Sequence, residues 1–402
     1  MHFSFVAGLL LSSYAMASRL YAASYAGTVT EMRLSKPGLH YELESVSHTN
    51  ECGTSPSWLM VDGENDVLYC LDEAVNLPNA TLTSFKMKSN GSLAKVEQLQ
   101  TIAGPVSSTF YTPVHAPVHA PDCQFLALAH YSGSAIMTYS VDPITGHFNH
   151  SQTFTFTMPN PGPVSSRQDV PHIHQVLIDP TGRFLLAPDL GADIVRIFHI
   201  NPTTGRLTEH QPLIAPAGSG PRHGAFWVPG TGENVSQNSR FYLVTELDNS
   251  VKGYDVTYSS NGTILFSQFF ETNSYGGVTP AAGSKAAGIA ISPGNNRLIV
   301  SNRGDNTFGH GNDSIAVFSL PDSMEKDEFS FLGLYPAYGS FPRQFEFSPD
   351  GDMLAVALQN SHQVAIIEWD AKHGVLGPLL ANVTLDGDIT AVVWDVGLGG
   401  SR

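Results

Sequence analysis

From residue 171 the chain reads PHIHQVLIDPTGRFLLAPDLGADIVRIFHI. Apolar positions alternate with others, a break falls at Asp-Pro-Thr-Gly, an apolar run follows, a polar turn interrupts, and a third alternating run ends the unit. Alternation with period two is the mark of a strand with one buried face. The Pro, Asp and Gly between the runs suit tight turns. The same grammar begins at Ser55 (SPSWLMVDGENDVLYCLDEA), at His119 (HAPDCQFLALAHYSGSAIMTYSVDPITGHF), at Pro221, at Ala286 and at Pro342. With Pro171, the six starts lie 64, 52, 50, 65 and 56 residues apart.

A repeat of roughly 50 residues carrying several strands predicts an all-β chain folded as a β-propeller. One blade cannot bury both faces of its sheet, so blades must stack and the ring must close. The chain ends predict the closure. ITAVVWDV near the C-terminus reads as a first strand with no blade after it. YAASYAGTVTEMRL and HYELESV near the N-terminus read as later strands with no first strand. Joined, they make a seventh blade and hide two sheet edges. The stretch from Gly230 to Ser239 reads as a loop, and nothing reads as an inter-domain linker. The expectation is a seven-bladed β-propeller occupying residues 19–402 as one domain.

Composition agrees with that picture. There are 37 glycines and 26 prolines, and only 14% of residues are charged, which favours short strands and turns over helices. The formal charge of −16 points away from nucleic acid and anionic membrane surfaces as partners. Residues 1–18 hold an apolar run of signal-peptide length, with small residues at Ala15, Ala17 and Ala22 as cleavage points. No later segment is long and apolar enough to span a membrane. Glycosylation acceptors occur at Asn79, Asn90, Asn149, Asn234, Asn261, Asn312 and Asn382, which suits a secreted glycoprotein. Cys52 and Cys70 flank a strand-turn-strand step and are expected to pair in an oxidising compartment, leaving Cys123 over.

In a propeller the first strand of each blade lines the central channel. Residues at its start therefore converge on one mouth. The repeat nominates His119, His172 with His174, Arg222 with His223, and Arg343. At the end of the second strand it nominates Glu246, Arg303 and, in its own blade, Asp189. His172 and His174 lie two apart and share a strand face. Arginines, histidines and one glutamate aimed at one funnel of an acidic protein read as an anion site. His-x-His with Glu246 could hold a metal, but neighbouring arginines would repel a cation, so no metal is expected. There is no P-loop, no Gly-x-Gly-x-x-Gly after a strand and no nucleophile elbow, so no cofactor is expected.

The segments PHIHQVLIDPTGRF, GPRHGAF, YLVTELDNSV, LIVSNRGDN and PRQFEFSPDG resemble the seven-bladed propeller lactonase family. That family includes the propeller-type 6-phosphogluconolactonases and the fungal carboxy-cis,cis-muconate cyclases. The resemblance implies a catalytic set of one His, two Arg and one Glu, which fall on His174, Arg222, Arg303 and Glu246. His119, His172, His223 and Arg343 are added as substrate contacts from strand placement.

The leading expectation is a secreted lactonase-type enzyme acting on a small anionic lactone or its ring-opened carboxylate. Arg222 and Arg303 would hold the anion and the developing oxyanion, and Glu246 or His174 would move the proton. A muconate-type cycloisomerase would use the same residues. A binder of protein or glycan would instead rely on rim aromatics such as Phe308, Tyr335 and Tyr338.

Overall fold

Seven four-stranded antiparallel sheets hold every strand among the residues described by a computed structural model of the chain, which are 18–115, 124–230, 239–259, 262–324 and 329–396. The blades' first strands are Pro56–Asp62, Pro105–Tyr111, Leu177–Ile178, Pro221–Trp227, Lys285–Ile291, Pro342–Phe347 and Ile389–Trp394. These strands define blades 1 to 7 in that order. They meet their neighbours around the axis, except that blade 4's first strand meets blade 3 through that blade's second strand, Phe184–Asp189.

Seven apolar clusters fill the seven blade interfaces, each drawing on two adjacent blades. The second strands carry most of this packing. Val67–Asp72 and Phe184–Asp189 are buried at every position, because sheets lie on both sides of them. The alternation seen in the sequence is therefore strongest in the outer strands, such as Glu42–Thr49, which keep one wet face.

Blade 7 closes the ring as its two half-signals predict. Ile389–Trp394 pairs with Ser18–Ser24, in a register that sets Leu20 opposite Trp394 and Ala22 opposite Val392. Arg19 locks the seam with Asp395 at 3.0 Å and Glu31 at 3.4 Å. Ala22 therefore sits inside the closing strand, so of the three cleavage points it is the one whose use would cut the seam. Ala15 and Ala17 lie outside the described residues.

Cys52 and Cys70 are joined, and both are fully buried in the packing between blades 7 and 1. The bond spans 18 residues, and closing a loop of that size stabilises a fold by about 3 kcal/mol in the chain-entropy account. Cys123, with Asn234 and Asn261, lies outside the described residues.

One blade differs from the sequence reading. Its first strand is Pro105–Tyr111, and the segment read as its first strand supplies the second, Gln124–His130. The strand PVSSTFY is rich in Ser and Thr and carries little apolar signal. The strand start to which the sequence assigned His119 is instead at Pro105. His119 itself lies outside the described residues.

Candidate active site

The starts of the inner strands share a local device. The register slips between Pro56 and Trp58, Pro105 and Ser107, Pro221 and His223, Ala286 and Ile289, and Pro342 and Gln344. A bulge breaks strict alternation and re-aims a side chain. In blade 4 it lets consecutive residues, Arg222 and His223, both line the axial cavity. Gly220, at φ +65°, makes the turn that precedes them and accepts the Glu246 N–H at 2.8 Å. A Cβ at Gly220 would come within 2.5 Å of the Leu247 side chain, so only glycine fits this turn.

Glu246 is the hub. It is 1% exposed, and three guanidinium groups converge on its carboxylate. Arg222 Nε stands 3.0 Å from Oε2, Arg303 Nη2 2.7 Å from the same oxygen, and Arg167 Nη1 2.7 Å from Oε1. Burial alone would raise its pKa, but Arg303, Arg222 and Arg167 together hold it far below the carboxylate range. Glu246 therefore stays ionised at any working pH and is a poor proton mover. Its carboxylate sets the positions of the arginines. Arg303 also lies over the Phe341 ring, 5.0 Å from its centre.

Three cations around one anion leave net positive charge inside a chain of formal charge −16. Asp193 and Asp313 bond loop backbone rather than the three arginines. Asp193 accepts the Gly218 and Gly220 N–H groups at 2.6 and 2.8 Å. Asp313 accepts from Gly304, Asn306 and Phe341. Asp189 accepts from His172 and Ala192 and pairs with Arg196 at 2.8 Å, so it braces the turn and stays out of the cluster. Two buried guanidinium N–H sites, Arg222 Nη1 and Arg303 Nε, have no hydrogen-bond partner among the described residues. Among the described residues, these are the two buried guanidinium nitrogens without a partner.

His174 stands beside them. Its Nδ1 lies 3.1 Å from His223 Nε2, and both rings are buried. Burial first, and the charges of Arg222, Arg303 and Arg343 after it, push both imidazoles well below their ordinary pKa. They are neutral at pH 7. His174, Arg222, His223 and Arg343 line one axial cavity with Trp58 and Gln344, of about 200 Å³ of empty space with its mouth included.

Two nominated residues behave differently. His172 has both ring nitrogens taken, Nδ1 by the Tyr131 carbonyl at 2.9 Å and Nε2 by Asp169 at 3.0 Å, and its ring stacks on Tyr131. It anchors the loop before the strand and has no nitrogen left for a ligand. Arg343 reaches the cavity but is shared with Glu73 at 3.4 Å and Gln359 at 3.4 Å. Of the rim aromatics, Tyr338 donates to the Gly377 carbonyl and packs with Tyr335 against the core between blades 5 and 6. Phe308 is 40% exposed and stands without them.

Sequence reasoning missed Arg167, Tyr131 and Lys285. Arg167 rides on the loop before blade 3, which is tied down by the fully buried Gln168 donating to the Leu190 carbonyl at 2.9 Å. Its second nitrogen donates to Tyr131 Oη at 3.2 Å. Lys285, at the start of blade 5, has its ammonium pushed down by burial and by Arg167 and Arg303. A loop arginine has no periodicity to betray it.

The fold and cluster define a class: a propeller whose axial funnel holds a buried arginine-glutamate-histidine set with free guanidinium donors. Residues 19–394 match the family described as "Lactonase, 7-bladed beta-propeller", and the chain belongs to it. It is 28% identical to a probable 6-phosphogluconolactonase of Arthroderma benhamiae, over 92% of this chain and 87% of that one. It is 29% identical to a 6-phosphogluconolactonase of Formosa agariphila, over 82% and 86%. The periplasmic gluconolactonase PpgL of Pseudomonas aeruginosa has the same fold, with a TM-score of 0.74 and 24% identity, over 94% of this chain and 99% of that one.

Proposed function

We propose that the funnel hydrolyses an anionic sugar-acid lactone. The observation that carries this reading is the pair of buried, unpartnered guanidinium donors, Arg222 Nη1 and Arg303 Nε, beside a neutral histidine. The surplus positive charge draws the substrate's carboxylate or phosphate, and the free N–H groups hold the lactone carbonyl oxygen as it becomes negative. His174 Nδ1 faces His223 Nε2 at 3.1 Å; in the tautomer with the proton on Nδ1, its Nε2 lone pair is free for a water proton. Water oxygen bonds to the carbonyl carbon, the ring C–O bond breaks, and the released alkoxide takes the proton from His174. The relatives named as 6-phosphogluconolactonases support this class of reaction.

A panel of lactones followed by acid release tests it. Lactones bearing carboxylate or phosphate are expected to turn over at least about a hundredfold faster, in kcat/KM, than neutral lactones of the same ring, as loss of a charged contact implies. Equal rates on neutral lactones, or no acid release from any, would overturn the reading. Loss of muconate absorbance without acid release would favour the cycloisomerase instead.

We also propose that residues 1–18 act as a secretory leader and that the chain works outside the cytosol as a glycoprotein. The buried disulfide supports this, as does the exposure of Asn79 at a strand start, Asn90 on a turn, and Asn149 and Asn382 on outer strands. An oxidising, phosphate-ester-poor setting favours a carboxylate substrate over a phosphorylated one. Expressed in a eukaryotic host, the protein is expected in the medium, starting at or just before Arg19 and losing mass on treatment with N-glycosidase. Retention in cells with residues 1–18 intact would refute the proposal.

A further inference from the structure

Trp58 and Gln344 line the site cavity, and they also line a second cavity further along the same inner strands. This one has a volume of about 210 Å³, below the roughly 300–1,000 Å³ of drug-sized pockets and of a size for a smaller ligand. Its walls carry two indoles, Trp58 and Trp394, the thioether of Met60, and aliphatic side chains from blades 1 and 7. Its polar groups are few: Gln344, Ser108 and Glu346.

Gln344 is spoken for, since its Oε1 accepts the Val392 N–H at 2.8 Å. Ser108 is 6% exposed, and its hydroxyl has no hydrogen-bond partner among the described residues. Glu346 shares its strand face with Gln344, two residues on. No lysine, arginine or histidine lines the cavity from blade 1, 2, 6 or 7, and no ion pair reaches Glu346 among the described residues. Glu346 is half-buried and lines the cavity. A lone carboxyl there is uncompensated, whereas Glu246 has three cations.

We propose that this second chamber binds a small primary ammonium compound. The ammonium pairs with Glu346 and donates to Ser108 Oγ, while Trp58 and Trp394 meet its charge and alkyl chain. The acidic shell favours approach of cations to this mouth. The channel is thus polarised, with an anion site in blades 3 to 6 at one end and a cation site at the other. The inference stands apart from lactone hydrolysis, and either can fail without the other.

The test uses pH. Burial pushes Glu346 up to about 8, opposed only by the Trp394 backbone, and no other titratable group lines the chamber. A cation requires the ionised form, so its affinity rises with pH and levels off above that value. Calorimetric titration of the full chain with n-butylammonium chloride is expected to show one saturable site at pH 9. Affinity at pH 6.5 is expected to be about thirtyfold lower, the deficit in ionised carboxyl at that pH. Binding at pH 7 is expected to release about one proton, read from buffers of different ionisation heat. Glu346→Gln is expected to lose binding and keep lactone turnover. No saturable binding at pH 9, affinity that is flat or falls with pH, or full binding by Glu346→Gln would each overturn the proposal. If Glu346→Gln fails to fold, wild-type binding without proton release overturns it equally.

Discussion

Glu246→Gln is expected to abolish lactone turnover and to destabilise the fold by about 3–5 kcal/mol, the usual cost of removing one partner from a buried ion cluster. Glutamine keeps the volume and one carbonyl oxygen but removes the charge. Arg167, Arg222 and Arg303 would then face one another with no anion between them. The denaturant midpoint should fall while the slope stays constant, and turnover should be lost even where the protein remains folded. Arg222→Ala separates the two effects. It leaves two cations on the carboxylate, so most of the stability survives, while one oxyanion donor is lost, worth about 10²–10³ in rate. The acid dependence follows from the depressed pKa of Glu246. Its contribution is complete above the ordinary glutamate value of about 4.3 and fades as pH falls toward the folded-state value. Wild-type and Glu246→Gln stabilities should therefore converge in strong acid. A variant within about 0.5 kcal/mol of wild type at pH 7 would show that the cluster does not hold the funnel together.

The ring was legible because turns and strands alternate in one repeated order, and because the two chain ends carry complementary halves of a blade. Blade 2 was misread for a physical reason. The first strand lines a wet channel, tolerates Ser107, Ser108 and Thr109, and so carries less apolar signal than the buried second strand. The family resemblance located His174, Arg222, Glu246 and Arg303, and the structure brings all four together. Their division of labour was hidden. Nothing in YLVTELDNS tells that the glutamate meets three arginines rather than one, and that number decides whether it can carry a proton. His172 and His174 looked equivalent because strand alternation would give them one face, but both precede the strand Leu177–Ile178, with only Ile173 between them bridging to Asp189. Tyr131 and Asp169 take up the first, and only the second is left to the cavity. Arg167 sits on a loop, and its partner is fixed by Gln168 anchoring that loop from below, a tertiary fact with no local pattern.

His174→Gln is expected to lower kcat by about 10²–10⁴, the range for losing a positioned proton acceptor, with little change in melting temperature. The ring is buried and neutral, so an uncharged amide of similar reach leaves no unpaired charge behind. The wild-type pH profile carries the sharper test. Base catalysis needs neutral imidazole, and burial with Arg222, His223, Arg343 and Arg303 nearby disfavours the protonated form. A lowered pKa extends the competent form toward acid. Wild-type kcat/KM should therefore hold level through pH 6.5, the ordinary histidine value, and decline only well below it. His174→Gln should show a low rate without that acid limb. His223 lines the same cavity and faces His174 Nδ1 at 3.1 Å, and in this mechanism it serves as a positioning residue. His223→Gln should cost less in kcat and should move the acid limb, because it removes a partner from Nδ1 and changes which tautomer is favoured. A wild-type limb at or above pH 6.5, or a His174→Gln rate within tenfold of wild type, would assign the proton to another group. Glu246 would remain disqualified by its three arginines, leaving Glu73, which pairs with Arg343 at 3.4 Å, as the acceptor to examine next.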